Sequence, residues 1–232
     1  MFSVLIISDS RGKGFNKIIA DCVSKVPERI SVTITAISGG TLADIQHKVS
    51  SDYKYYDLVI ILGGICNLTV KTVYGQYQLL TYTNNTNKVE EVTAAFRDIL
   101  SRYNNTVVST ITPACLTKYF TVASKTNEKE FLEKFPELAS RLQAEQNNLL
   151  EDIQIINNSL QNYCKSENYL SVNLAKASLS YSIKRRGKEK IRYARFSSTY
   201  LHDGLHASRE LKVIWANQLK GLILQAHQNK HS

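Results

Sequence analysis

The stretch SVLIISDSRGKG, Ser3–Gly14, is where the reading of this chain begins. Val4–Ile7, with Phe2 ahead of it, is an apolar run that stops abruptly at Ser8-Asp9-Ser10-Arg11-Gly12, and a helical pattern starts at Phe15. That is a buried strand entering a tight turn and then a helix. In an open α/β sheet the carboxyl ends of the strands form the ligand crevice, so a polar side chain on this first turn faces whatever is bound. Ser10 holds that place. A plainer reading makes Asp9 and Ser10 caps of the following helix.

Outward from this turn, strands and helices alternate. Phe15–Val26 puts Phe15, Ile18, Ile19, Cys22 and Val26 at helical spacing. Ile30–Ile37 alternates apolar and polar residues, the pattern of an edge strand, and ends in Ser38-Gly39-Gly40-Thr41 ahead of a helix at Leu42–Val49. Asp57–Leu62 is apolar on both faces, as a central parallel strand is, and ends in Gly63-Gly64-Ile65-Cys66-Asn67-Leu68-Thr69. Residues 70–87, rich in Tyr, Thr and Asn, read as a loop insertion beside the crevice. Val89–Tyr103 is amphipathic, Thr106–Ile111 is a strand turning at Thr112-Pro113, and Lys118–Lys129 has no period. Glu130–Leu160 reads as one long helix or two, Tyr169–Leu174 as a short strand, and Arg209–His227 as the last helix. This alternation predicts an α/β fold with three α/β/α layers and a five-stranded, mainly parallel sheet of flavodoxin-like order.

Composition narrows the function classes. A chain of 232 residues with 43% apolar content can bury a full core, and three prolines and ten glycines without a Ser/Gly-rich run give no linker, so one domain over 1–232 is expected. The longest apolar runs are too short to cross a bilayer. The amino terminus carries no basic leader with a long apolar run behind it, which points to an intracellular protein. Cys22, Cys66, Cys115 and Cys164 lack paired spacing and read as free thiols. Twenty-nine Lys plus Arg against twenty Asp plus Glu gives +9, a field that favours polyanions.

Near the carboxyl end stands His202-Asp203-Gly204-Leu205-His206-Ala207-Ser208. A hydroxyl nucleophile needs a base for its proton, and the base needs a partner that fixes its tautomer. Asp203 and His206, three residues apart on a turn, suit those two roles, with the imidazole pointing across the crevice at Ser10. As a bland alternative, Asp203-Gly204 is an ordinary turn and His206 a surface histidine.

Taken in order, Ser8-Asp9-Ser10, Ser38-Gly39, Gly63-Gly64 with Asn67, and Asp203-x-x-His206 resemble the blocks of the SGNH/GDSL hydrolase superfamily over nearly the whole chain. The resemblance implies a serine esterase without metal or organic cofactor, acting on a small ester or acylated substrate. Ser10 is then the nucleophile, His206 the base and Asp203 its acidic partner, with the Ser10 and Gly39 N–H groups and the Asn67 amide forming an oxyanion hole. Two departures stand out. The third block reads Gly63-Gly64-Ile65-Cys66-Asn67 where the superfamily has Gly-x-Asn-Asp, so either the loop bulges to bring Asn67 into place or that donor is missing. Arg11 follows the nucleophile where the superfamily has leucine, and by simple attraction it favours an anionic substrate.

The segment 184–196 holds seven cations and one anion in thirteen residues, with Tyr193 and Phe196 interleaved. As a basic loop, its Lys184, Arg185, Arg186, Lys188, Lys190, Arg192 and Arg195, together with Arg11, are candidate contacts for RNA or single-stranded DNA. A solvated charged loop is the duller account. The loop and the Trp215-containing last helix bring the chain nearest to SGNH-like domains of mobile-element proteins. The second functional reading is therefore an inactive SGNH-like module that binds nucleic acid. A third makes the 130–160 region an oligomerisation surface, and the sequence leaves the oligomeric state open.

Overall fold

The computed structural model describes residues 1–26, 29–83, 85, 87–186 and 189–231, with backbone alone over 181–186, 189–194 and at 231. In chain order, β1 (Phe2–Ser8), α1 (Asn16–Val23), β2 (Ile30–Ala36), α2 (Leu42–Asp52) and β3 (Leu58–Leu62) form two successive crossovers. A one-turn helix α3 (Ile65–Leu68) leads into a hairpin of β4 (Thr69–Tyr74) and β5 (Tyr77–Tyr82), then α4 (Lys88–Arg102) and β6 (Thr106–Ser109). Helices α5 (Leu116–Ser124), α6 (Glu128–Lys134) and α7 (Pro136–Ser166) precede the two-residue strand β7 (Ser171–Val172). A second hairpin, β8 (Leu179–Arg186) and β9 (Glu189–Phe196), comes before the last helix α8 (Arg209–His231).

The main sheet has five strands in the order β2-β1-β3-β6-β7. Its pairings are parallel throughout. This is the flavodoxin-like order expected from the alternation of elements. Because side chains alternate faces along a strand, the run Val4–Ile7 feeds two cores at once. Leu5 and Ile7, with Val59, Ile61 and Val108, pack against α2, α4 and α7. Val4 and Ile6, with Leu58, Ile60 and Val107, pack against α1 and α8. Hydrogen-bonded on both sides and covered on both faces, β1 fixes the turn at its carboxyl end; β2 is an edge strand, as its wetter alternation indicated.

Three segments differ from the sequence reading. The 70–87 region, expected as a loop insertion, is mostly hairpin: β5 buries Leu79 and Leu80, while β4 beyond Thr69 is exposed on both faces and so gives no alternating signal. Gly75 makes the turn at φ +60°. The Lys118–Lys129 stretch holds most of α5, which ends where Lys125 adopts a left-handed φ of 56°, and Pro136 at the first turn of α7 separates that helix from α6. The basic segment 184–196 is not a loop in its backbone but lies in the antiparallel β8–β9 hairpin, whose residues pair from Leu179 with Phe196 to Arg186 with Glu189. The side chains of Lys184, Arg185, Arg186, Lys190 and Arg192, and Lys188 altogether, lie outside the described residues; Arg195 is exposed.

Candidate active site

The end of β1 turns sharply through a short 3₁₀ segment, Ser10–Gly12, with the Asp9 carboxylate accepting the Arg11 N–H at 3.0 Å as its cap. Glycine is required at position 12, since a Cβ there would lie 2.6 Å from the Ser8 Cβ. The turn places Ser10 just beyond the carboxyl end of β1, at the edge of the sheet. Of the two residues read as possible caps, Asp9 is the one whose side chain caps this turn.

The 202–208 loop crosses to the same edge. It is closed by a bridge between Leu201 and Ala207 and by the His202 N–H donating to the His206 carbonyl at 2.7 Å. Inside it, Asp203 accepts from Leu205 N at 3.0 Å, His206 N at 2.8 Å and His206 Nδ1 at 2.6 Å. With Nδ1–H given to the carboxylate, Nε2 carries the lone pair, and it sits 3.2 Å from Ser10 Oγ. Burial alone would push the Asp203 carboxyl up, but the His206 ring and the two backbone N–H groups outweigh it and hold the group well below the usual carboxylate range. The carboxylate is thus fixed in direction behind the imidazole, and Asp203, His206 and Ser10 stand in a hydrogen-bonded series.

The oxyanion-hole candidates are placed as follows. Gly39 stands at φ +71° in the turn after β2, where the Gly40 N–H is taken by the Ile37 carbonyl. Asn67 is delivered by α3, which starts after Gly64 in a left-handed conformation, φ +103°. Its Oδ1 accepts the Leu42 N–H at 2.9 Å, which orients the amide and leaves Nδ2 as a donor. Among the described residues, no acceptor takes the Ser10 N–H, the Gly39 N–H or Asn67 Nδ2.

Two features run against the sequence reading or were absent from it. Arg11, expected to face an anionic ligand, is 5% exposed and fully engaged with Asp9 and Thr112, so its charge is neutralised inside the protein. Gly204 appeared only as a turn residue, yet it is the dock of the loop. Its carbonyl accepts the Cys115 N–H at 2.6 Å, its φ is +86°, and a Cβ would lie 2.4 Å from Tyr119 N. Lys118 Nζ adds bonds to the Leu201 and Ser198 carbonyls at 2.6 and 3.0 Å. The start of α5 therefore carries the His206 loop. Burial, with the Asp9 charge added, raises the Cys66 thiol to about 11.

No protein-family model and no curated protein matches the chain. Solved structures do. A lipase/acylhydrolase from Enterococcus faecalis superposes with a TM-score of 0.60 at 14% identity, covering 96% of this chain and 95% of that one. The psychrotrophic esterase EstA from Pseudoalteromonas sp., in a structure inhibited by monoethylphosphonate, superposes at 0.55 with 12% identity, covering 99% and 100%. A member of the lipolytic protein G-D-S-L family from Veillonella parvula superposes at 0.53 with 8% identity, covering 96% and 97%. At such identities the likeness speaks for architecture, and from the first strand to the last helix this chain has the SGNH/GDSL hydrolase fold.

Proposed function

We propose that the protein is a serine esterase that cleaves a carboxylic ester through an acyl-enzyme. The observation that carries this reading is the bridge made by His206, 2.6 Å from Asp203 on one side and 3.2 Å from Ser10 on the other. The fold, shared with proteins named as esterases and acylhydrolases, supports the same chemistry.

In the reaction Ser10 Oγ bonds to the ester carbonyl carbon as its proton passes to His206 Nε2. Asp203 stabilises the imidazolium and keeps Nδ1 protonated. The carbonyl oxygen, now an oxyanion, takes hydrogen bonds from the Ser10 and Gly39 N–H groups and from Asn67 Nδ2. A single well-placed donor of this kind contributes about 2.7–4 kcal/mol to the transition state. Collapse of the intermediate breaks the C–O bond, and the leaving alcohol collects the proton from Nε2. Water then repeats the sequence on the acyl-Ser10 ester, releasing the acid and restoring the hydroxyl.

Purified protein is tested on p-nitrophenyl acetate and butyrate beside Ser10→Ala and His206→Ala. Turnover by the wild type that both variants lose supports the assignment. Turnover that persists in Ser10→Ala, or none in the wild type, removes it.

A further inference from the structure

We propose that Arg11 and Thr112 are positioning residues that hold Ser10 and His206 in register; the inference rests on the esterase reading for its kinetic consequence, though not for its geometry. Arg11 Nε lies 3.0 and 3.2 Å from the two Asp9 carboxylate oxygens and Nη2 lies 2.8 Å from Oδ2. Nη1 donates to the Thr112 carbonyl at 2.6 Å and to the Thr112 hydroxyl. Asp9 follows β1 and Thr112 lies three residues beyond β6, and β3 lies between those strands. With adjacent strands about 4.8 Å apart, β1 and β6 are separated by roughly 10 Å, and the Arg11 side chain with its hydrogen bonds is the strap across the end of the sheet between them.

The far end of the strap is itself held on both sides. From behind, Asn157 on α7 accepts the Ile111 N–H at 2.7 Å and donates to the Ile111 carbonyl at 2.9 Å. Gln146 on the same helix accepts the Leu116 N–H at 2.7 Å and donates to the Ala114 carbonyl at 2.9 Å. In front, Cys115 N–H holds the Gly204 carbonyl, two residues from His206. A closed circuit results: Ser10 is tied through Asp9 and Arg11 to Thr112, the clamped 111–116 segment carries the Gly204 dock, and the dock returns His206 to Ser10. The planar fork suits position 11 because its partners lie on two edges of one cation, on Nε with Nη2 and on Nη1, a spread that the single nitrogen of an ammonium does not match.

The test compares wild type with Arg11→Lys and Thr112→Val. Lys48→Met, which removes the half-buried Lys48–Asp52 pair on α2, is the control. Two quantities are read: kcat and KM on p-nitrophenyl acetate, and the imidazole cross-peaks of His206 in long-range 1H–15N spectra. Since a displacement near 1 Å costs on the order of 100-fold, both strap variants are expected to lose ~10–100-fold in kcat with KM nearly unchanged. Their His206 cross-peaks move while those of His47 stay, and Lys48→Met alters neither quantity. Wild-type kcat in Arg11→Lys overturns the inference, and so do unmoved His206 cross-peaks in that variant whatever its rate. If the wild type turns over no ester, the esterase reading fails separately, and the cross-peaks alone decide the strap: movement upholds it, and its absence overturns it.

Discussion

Replacing Gly204 by alanine tests how the 202–208 loop is docked. The backbone at 204 has φ +86°, and the new Cβ would stand 2.4 Å from Tyr119 N and 2.5 Å from the Cys115 carbonyl oxygen. Ordinary contact begins near 3.4 Å, so the loop or the start of α5 must move by a difference of 1.0 Å. Both obstructing atoms are backbone, and α5 is anchored through the buried Leu116 and Phe120, so the loop is the part that yields. A displacement of about 1 Å at His206 lengthens the 3.2 Å contact to Ser10 and is expected to lower kcat on the order of 100-fold. The left-handed backbone adds a stability cost of about 1–2 kcal/mol. Gly75→Ala isolates that second term, because Gly75 has φ +60° with nothing within 4 Å of its Cβ position. It should lose about 2–8 °C in Tm and keep its rate. The assay is p-nitrophenyl acetate turnover beside thermal denaturation for both variants. A folded Gly204→Ala with the wild-type rate would refute the docking argument.

Further outcomes follow from the same geometry. Asp203→Asn keeps an oxygen for the two backbone N–H groups but turns an NH₂ toward Nδ1, forcing the proton to Nε2, so kcat should fall about 10⁴-fold in steady-state assays with little change in fold. Asn67→Ala removes one proposed oxyanion donor and should lower kcat by about 10²–10³. Arg11→Leu leaves the fully buried Asp9 carboxylate unpaired, a loss of about 3–5 kcal/mol that should appear as a fall of roughly 6–20 °C in Tm. Lys230 and the Ser3 N–H and hydroxyl draw the Asp57 carboxyl down to about 2. Being depressed in the folded state, this group adds stability that is complete above about pH 4 and is lost as pH falls through about 2. Urea midpoints for Asp57→Asn should therefore decline less between pH 5 and 2.5 than those of the wild type.

What could be read from the sequence was local in origin. The Val4–Ile7 run with Ser8-Asp9-Ser10 behind it specifies a buried strand and a polar turn within a dozen residues, and Asp203 with His206 needs only three residues to form its hydrogen bonds. The order of strands follows from their alternation with helices. What escaped depends on partners remote in the chain. Arginine is rarely buried, so Arg11 looked like a surface cation; its acceptor Thr112 lies 101 residues on, and no local pattern announces it. Gly204 looked like any turn glycine because the reason for its missing Cβ is the backbone of α5. The β4–β5 hairpin was hidden because β4 has two exposed faces and no alternation to detect. Asn67 sits where one helical turn brings it, and a motif read as linear spacing cannot show a coil.

The account stands on Ser10 being a nucleophile activated by His206. Incubating the wild type, Ser10→Ala and His206→Ala with an alkyl fluorophosphonate and mapping the adduct by peptide mass spectrometry addresses it most directly. One adduct on the Ser10 peptide of the wild type is expected, with none in Ser10→Ala and labelling slowed at least ~100-fold in His206→Ala. An unlabelled wild type, or an adduct at any other residue, would contradict it.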